Sequence, residues 1–392
     1  RLLKNTDCVF CGQCVTHCPT GALTVRDDTN RVLRALADPE TVTVVQVAPA
    51  VRVAWAEEFG LPSKLATTGR MVAALKALGF DSVFDTNFSA DLTIMEEAHE
   101  FLDRVQNGGV LPLITSCSPG WIKYCEHYFP DMTENLSSCK SPQQMFGALI
   151  KTWFAKREGI DPGEICSVSV MPCTAMHFEC TRPELRDSGY QDVDISITGQ
   201  ELAALIRAGG IDFSELPDTP FDDPFGEGSG AGLIFGATGG VMEAALRTVY
   251  AVVTGKEMEH LDYTPVRGFE GIKESQVDLN GRVIKVAVAH GIKNAKILLE
   301  KVKNGTADYQ FIEIMACPGG CIGGGGNPPK TWSIMEKRKK AIYEAEAELP
   351  VRQSHKNPAI QKIYETYLGE PCGELSHKLL HTEYCNRQDL LQ

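Results

Sequence analysis

The sequence contains no apolar run long enough to cross a bilayer and no excess of basic residues. A membrane-spanning helix needs about 18 consecutive apolar residues, and no segment of the 392-residue chain has them. Lys and Arg number 38 against 51 Asp and Glu, which gives a net charge of −13. Because nucleic acids and anionic membrane surfaces attract basic proteins, we expect neither as a partner.

A secretory leader, with a basic stretch followed by a short apolar run, is also missing from the start of the chain. This absence predicts a cytoplasmic protein. The sequence opens at Arg1 and not at Met, so we expect that upstream residues have been removed. With 43% apolar and 23% charged residues, the chain has a globular composition. Its length is sufficient for two or three domains.

Cysteine is abundant, and its spacing favours metal ligation over disulfide bonds. The chain has 14 cysteines, whereas disulfide frameworks are typical of short secreted proteins. Cys8, Cys11, Cys14 and Cys18 follow the C-x2-C-x2-C-x3-C-P pattern of a [4Fe–4S] cluster. A zinc ribbon would separate its cysteine pairs by a longer spacer. Residues 1–30 therefore form a predicted ferredoxin-like iron–sulfur module, in which Cys18 closes the same cluster or serves a second one upstream.

Strand-like apolar runs alternate with segments of helical periodicity from about residue 41 onward. Alternation of this kind predicts an α/β fold in which parallel sheets are flanked by helices. The predicted strands are 41–47, 81–84, 110–115, 165–170, 195–197, 283–289 and 311–316. The predicted helices are 71–78, 90–105, 142–157, 199–208, 295–303 and 336–348.

Three of the predicted strands are each followed by cysteine. Because an open α/β sheet binds ligands at the carboxyl ends of its strands, these thiols should meet in one crevice. Glycines after the third strand let the backbone approach a ligand and offer N–H groups to sulfur. The sequence therefore predicts a buried iron–sulfur site. The strands and their cysteines are 110–115 with Cys117, 165–170 with Cys173, and 311–316 with Cys317 and Cys321.

The segments around these cysteines are distinctive. They read TSCSPGW at 115–121, MPCTAMHFE at 171–179 and EIMACPGGCIGGGGNP at 313–328. They resemble the signature motifs of the [FeFe]-hydrogenase family, and the resemblance covers nearly the whole chain. It includes FDTNFSADLTIMEE at 84–97 and FGATGGVMEAALR at 235–247.

The resemblance implies a two-lobed catalytic domain and a specific cofactor. The catalytic domain would span 31–345, and a C-terminal segment, 346–392, would wrap around it. The cofactor would be the H-cluster, a [4Fe–4S] cubane bridged to a two-iron unit that carries CO, CN and an azadithiolate. The substrates would be H2 and protons, and a ferredoxin or another redox subunit would exchange electrons through the N-terminal module.

The same resemblance assigns ligands by position. Cys173, Cys317 and Cys321 would hold the cubane, with Cys321 as the bridge, and Cys117 would carry protons to the two-iron unit. The fourth cysteine of the family pattern is replaced by Ser118. Serine is a harder ligand than thiolate and suits iron–sulfur clusters poorly. Either Ser118 ligates, or Cys117 shifts and ligates in its place.

A second departure concerns the two-iron pocket. The family has lysine at Met176, and a charge-assisted hydrogen bond to a cyanide, worth about 1.5–3 kcal/mol, would be lost. Neighbouring His177 is an alternative donor to the cyanide, but the favoured prediction is a surface histidine. The residues that by position line the cofactor pocket are Met171, Met176, Met315, Phe235, Pro142, Gln143, Ala48, Pro49 and Ala50.

A proton route is also implied by position, from Arg104 through Glu100, Ser137 and Glu97 to Cys117. Arg104, Glu100 and Glu97 have helical spacing and share one helix face. A solvated acidic helix face is the alternative. Glu179 matches a further acid of the family near the site. The other cysteines are predicted to be buried small apolar residues, namely Cys125, Cys139, Cys166, Cys180, Cys372 and Cys385.

Two functions remain open from the sequence. The leading one is an [FeFe]-hydrogenase that interconverts H2 with protons and electrons. The alternative is a hydrogenase-like electron-transfer or H2-sensing subunit with a weak or absent two-iron site. Ser118 and Met176 are the residues that motivate this alternative.

Overall fold

The computed structural model describes residues 3, 6, 8–60, 67–212 and 215–391. It confirms the predicted α/β architecture of parallel sheets flanked by helices. The described residues form two four-stranded sheets. Their strands are β1 (Val42–Val47), β2 (Ser82–Asp85), β3 (Leu113–Ile114), β4 (Ile165–Met171), β5 (Ile195–Thr198), β6 (Ile272–Leu279), β7 (Arg282–His290) and β8 (Phe311–Met315).

The first sheet has the order β2-β1-β4-β5, and all of its pairs are parallel. Its central strand β1 is buried from its second residue onward, as expected for a parallel strand covered by helices on both faces. Val45 pairs with Val83 on one side and with Val168 on the other. The predicted strands of this sheet are confirmed to within one residue at either end.

The second sheet has the order β3-β8-β7-β6. Strands β3, β8 and β7 are parallel, whereas β6 pairs with β7 in antiparallel fashion. The sequence analysis missed β6, which joins β7 through a tight turn at Asn280 and Gly281, both at positive φ. The predicted strand 110–115 is shorter than expected, because Pro112 lacks the backbone N–H that a strand ladder needs.

Helices cover both sheets. The α-helices of the described residues are Gln13–Thr16, Thr29–Ala37, Pro49–Arg52, Thr68–Leu78, Thr86–Asn107, Pro119–Tyr128, Pro142–Leu149, Ala155–Glu158, Ala175–Glu179, Gly199–Ala208, Gly230–Leu233, Gly240–Thr254, Ile292–Lys303, Trp332–Glu348, Pro358–Ile363 and Glu374–Leu380. Two π-helical turns, Ile150–Phe154 and Tyr364–Leu368, continue the helices before them.

The helix Thr86–Asn107 begins directly after β2. Asp85 caps it, since its carboxylate accepts a hydrogen bond from the backbone N–H of Asn87 at 2.7 Å. Gly108, at φ 81°, ends it. The helix is buried along most of its length, and it carries the acidic residues of the predicted proton route past both sheets.

The C-terminal segment packs into the core. Ile360, Ile363 and Leu380 belong to one apolar cluster with Phe88 and Phe146. The helix Trp332–Glu348 runs across the predicted boundary at residue 345, and the boundary itself stays a prediction. Within the described ranges, no helix has the combination of length and apolar character that crossing a membrane requires.

Candidate metal centre

Cysteines from both sheets lie together at the carboxyl ends of β4 and β8. Cys173 follows β4 after Pro172, and Cys317 follows β8 after Ala316. The Cys173 thiol donates a hydrogen bond to the Cys317 sulfur, and Cys321 interacts electrostatically with both. The predicted convergence of these three thiols is therefore present in the fold.

Two of these thiols, Cys173 and Cys321, are protonated when no metal is bound. The pKa of Cys173 lies well above its ordinary value because its thiol donates to Cys317 and because it is buried. Burial raises the pKa of Cys321 to about 12. Thiolates are the ligands that iron clusters require, and a bound cation stabilises that form. The donor set and its burial thus fit a metal cluster.

The glycine run after Cys321 brings three backbone segments together. A Cβ on Gly323 would collide with the carbonyl of Pro318, and one on Gly324 would collide with that of Pro172. A Cβ on Gly325 would collide with the carbonyl of Cys11. Only glycine fits at these three positions, because the backbones of the loops that carry Cys173 and Cys11 lie in contact with the backbone of the glycine run.

The N-terminal cysteines lie against this centre. The Cys11 carbonyl is 3.9 Å from the Cys317 sulfur. Burial raises the pKa of Cys11 to about 11, and the charges of Cys317, Cys8 and Cys14 contribute to the shift. The sulfur of Cys18 lies 3.6 Å from the Thr20 hydroxyl, which lowers the pKa of Cys18 to about 7.

The nine residues predicted to line the cofactor pocket surround one cavity beside Cys321. Cys117 lies in the same wall. The sequence analysis missed Thr86, Ala90 and Pro172; only Pro172, between Met171 and Cys173, had a local signal. The predicted residues that the cavity brings together are Ala48, Pro49, Ala50, Pro142, Gln143, Met171, Met176, Phe235 and Met315.

Polar groups of the cavity wall are held by hydrogen bonds. The Gln143 amide donates to Glu179 at 2.8 Å and accepts from the Ser169 hydroxyl at 2.6 Å. The Ser141 hydroxyl also donates to Glu179, at 2.7 Å. Burial raises the pKa of Glu179, although these donors oppose the shift. The cavity therefore has a fixed polar corner in an otherwise apolar wall.

Ser118 and Cys117 face different surroundings. The Ser118 hydroxyl accepts a hydrogen bond from the backbone N–H of Ala316 at 3.2 Å, next to Cys317. Cys117 instead lines the cavity with Cys321. Burial raises the pKa of Cys117 well above its ordinary value, and the charge of Glu97 adds to the shift.

Met176 and His177 point in opposite directions. Met176 lines the cavity, and none of the described lining residues is a lysine or arginine. The expectation that His177 is a surface residue is wrong, because it is only 8% exposed. Its Nε2 atom lies 3.4 Å from the Glu201 carboxylate, away from the cavity. Sequence periodicity over one short helix could not separate these two directions.

Hydrogen bonds connect three of the residues of the predicted proton route, Arg104, Glu100 and Ser137. Arg104 pairs with Glu100 at 2.6 Å, and the Ser137 hydroxyl donates to Glu100 at 2.9 Å. Glu97 is fully buried, so the alternative of a solvated acidic face is wrong for this residue. Neither of its oxygens meets hydrogen-bond geometry with a described donor. Burial raises the pKa of Glu97 to about 8, and the charge of Glu100 adds to the shift.

The remaining cysteines lie away from the centre. Cys125, Cys139 and Cys180 are buried as expected, and Cys166 and Cys372 are partly buried. Cys385 is exposed, so the prediction of a buried residue is wrong there. Glu383 and Asn386, which lie close to it in the chain, are exposed as well.

Family models match three parts of the chain. The model described as "Iron only hydrogenase large subunit, C-terminal domain" matches residues 41–325. "Iron hydrogenase small subunit" matches residues 333–387, and "4Fe-4S binding domain" matches residues 4–24.

Curated relatives agree with these matches. The chain is 50% identical to the NADP-reducing hydrogenase subunit HndD of Solidesulfovibrio fructosivorans over 99% of its length, and spans 68% of that protein. It is 43% identical to iron hydrogenase 1 of Clostridium pasteurianum over 93% of its length, and spans 65% of it. More distantly, it is 31% identical to cytosolic iron-sulfur assembly component 3 of Bos taurus, over 96% of this chain and 83% of that one.

Solved structures share the fold. The structure of an apo [FeFe]-hydrogenase from Chlamydomonas reinhardtii matches with a TM-score of 0.82 and 42% identity. The match covers 92% of this chain and 99% of the other.

Proposed function

This chain belongs to the iron-only hydrogenase family, and on that premise we propose that it interconverts H2 with protons and electrons. One observation carries the proposal. The nine residues predicted to line the cofactor pocket all line a single cavity, which also contains Cys117 and Cys321. An apolar cavity with a few fixed polar groups is the usual form of a cofactor site.

The residues present fit an H-cluster. Cys173, Cys317 and Cys321 would hold the cubane, and the cavity beside Cys321 would receive the two-iron unit. When bound, this group supplies the iron chemistry that makes and breaks H2. The protein residues position it, exclude water through the apolar wall, and hold protons nearby.

Electrons would enter through the N-terminal module. Cys8, Cys11, Cys14 and Cys18 are its proposed ligands, and Cys11 lies next to Cys317. The partner would be ferredoxin or another redox subunit, and the protein would work in the cytoplasm. The module would end near residue 30, and the catalytic domain near residue 345.

Protons would move between solvent and Cys117 along the line of acids. A surface pocket reaches Glu100 and Arg104, and Ser137 connects Glu100 to the surroundings of Glu97. Because the pKa of Glu97 is about 8, its carboxyl group can both take up and release a proton near neutral pH.

Ser118 would complete the ligand set of the cubane, because Cys117 faces the two-iron cavity. We expect Ser118→Cys to increase the iron retained during chelator treatment by about twofold or more, since thiolate binds iron clusters better than a hydroxyl group. Iron bound per chain, measured against chelation time, checks this. Ser118→Ala is the matched control and should not improve retention. Equal retention in Ser118→Cys and the wild type would instead mean that Cys117 is the fourth ligand.

A second candidate function is a hydrogenase-like protein without H2 turnover. It is favoured by Met176, which leaves the described cavity wall without a cationic group for cyanide. The similarity to an iron–sulfur assembly component points the same way. In this case the cubanes would bind, but the two-iron unit would not be retained.

Infrared spectroscopy of the maturated protein distinguishes the two candidates. We expect absorption bands of bound CO and CN together with H2 evolution from reduced viologen. The wild-type protein without maturation provides the baseline. A brown protein with iron–sulfur absorbance, no such bands and no H2 evolution would establish the second candidate instead.

A further inference from the structure

A buried carboxylate outside the proposed active site has an unusual set of partners. Glu96 is fully buried, and no described lysine or arginine pairs with it. It accepts a hydrogen bond from the Tyr364 hydroxyl, another from the backbone N–H of Cys372 at 2.7 Å, and lies 2.8 Å from His381 Nε2. An isolated buried carboxylate is costly unless a cation or several donors compensate it.

Three different metal-binding side chains meet at this point. A carboxylate oxygen of Glu96, the sulfur of Cys372 and a ring nitrogen of His381 all lie within 4.8 Å of one another. They come from separate elements, namely the helix Thr86–Asn107, the loop before Glu374–Leu380, and the residue after that helix. Carboxylate, thiolate and imidazole in such proximity are the ligands of tetrahedral Zn²⁺ sites.

Two of the three side chains border solvent, whereas Glu96 lies behind them. Cys372 and His381 line a surface pocket together with Glu100, Arg104 and Ser138. A metal ion could therefore enter without opening the core, and a water molecule could supply the fourth ligand.

The same pocket is the proposed entrance of the proton route. His381 Nδ1 lies 2.7 Å from the Ser138 hydroxyl, and the backbone N–H of Ser138 donates to Glu100 at 3.1 Å. Glu100, Cys139 and His381 form a second close group on this side of the imidazole. His381 thus connects Glu96 and Cys372 to the surroundings of Glu100.

The local charge would favour a cation. Burial raises the pKa of Cys372, and the negative charges of Glu96, Glu100 and Asp103 raise it further. Arg104 is engaged with Glu100 and with backbone carbonyl groups. A divalent ion would offset this negative charge and stabilise the thiolate.

We propose that Glu96, Cys372 and His381 bind one Zn²⁺ ion at the mouth of the proton route, and that the bound ion slows proton exchange at Glu100. The ion would hold His381 in place and put positive charge beside Glu100. Proton entry through this pocket would then be slower in both directions of turnover. The second part of this inference rests on the proposed function, whereas the metal site does not.

Equilibrium dialysis of the cluster-loaded protein against ZnSO4, with zinc and iron counted per chain, tests the site. We expect wild-type protein to bind one Zn²⁺ more than a Cys372→Ser/His381→Asn variant at zinc concentrations that leave the iron content unchanged. Glu96→Gln keeps the shape of the side chain and should weaken binding about 10-fold or more, since the carboxylate is a ligand. The matched control is Cys385→Ser/His260→Asn, which removes an exposed thiol and an exposed imidazole and should bind as the wild type does.

Equal zinc binding in the wild type and in both site variants, with each folded by circular dichroism, would overturn the site. Turnover in the presence of Zn²⁺ tests the second part. We expect inhibition in the wild type and in the control variant, and its loss in the site variants. Zinc binding without inhibition in an active enzyme would overturn the effect on the proton route. If the protein has no hydrogenase activity, the dialysis result still decides the metal site.

Discussion

Replacing Glu97 with glutamine is expected to slow H2 evolution about 100-fold or more while the iron content stays that of the wild type. Of the described carboxyl groups in the proposed proton route, only Glu97 is fully buried. It lies next to both Ser137 and Cys117. An amide of the same size keeps the packing but cannot release and take up a proton near neutral pH. The loss should therefore affect turnover and not folding.

The measurement is H2 evolution from reduced viologen, with iron content and infrared bands recorded on the same sample. Asp103→Asn is the matched control, since Asp103 lies on the same helix, is exposed, and accepts a hydrogen bond from the side chain of Asn107. Its activity should lie within about twofold of the wild type, as expected for a surface position. Full activity in Glu97→Gln would show that protons reach Cys117 by another route.

Replacing Cys173 with alanine is expected to remove the iron of the buried cluster, about four atoms per chain. Cys173 shares a hydrogen bond with Cys317, and both are buried at the junction of the two sheets. With one thiolate missing and Ser118 as a weak fourth donor, only two strong ligands would remain. Iron content and visible absorbance after anaerobic reconstitution check this expectation.

Cys166→Ala provides the comparison for that experiment. Cys166 is partly buried and lies at the start of β4, whereas Cys173 follows the end of that strand. Its replacement should leave the iron content unchanged. If Cys173→Ala retained as much iron as Cys166→Ala, Cys173 would not be a ligand and the proposed cofactor arrangement would have to be abandoned.

Local patterns were sufficient where a feature depends on neighbours in the chain. The helix Gly199–Ala208 was predicted with the observed bounds from its periodicity, and in the structure a threonine cap with a glutamate three residues later marks its start. The strand β6 was missed because its edge position leaves it mostly polar, without the continuous apolar run of the central strands. The direction of His177 was also missed, since it depends on contact with the distant Glu201.

The cofactor pocket was likewise predicted only in part from the sequence. The family resemblance identified most of its wall, and Pro172 lies within one of the motifs that carry the resemblance. Thr86 and Ala90 contribute to the wall only because the helix after β2 passes over it. The group of Glu96, Cys372 and His381 had no sequence signal, because Glu96 lies 276 residues before Cys372 in the chain.

The amino-acid sequence by itself determined the α/β class, the kinds of metal ligand available, and the helical spacing that aligns Glu97 with Glu100 and Arg104. These follow from residue type and from periodicities set by the backbone. Only the tertiary structure decided that Cys117 faces the cavity while Ser118 bonds to Ala316. The physical reason is that side-chain direction at a strand end depends on packing against segments far along the chain, and those contacts exist only once both sheets have formed.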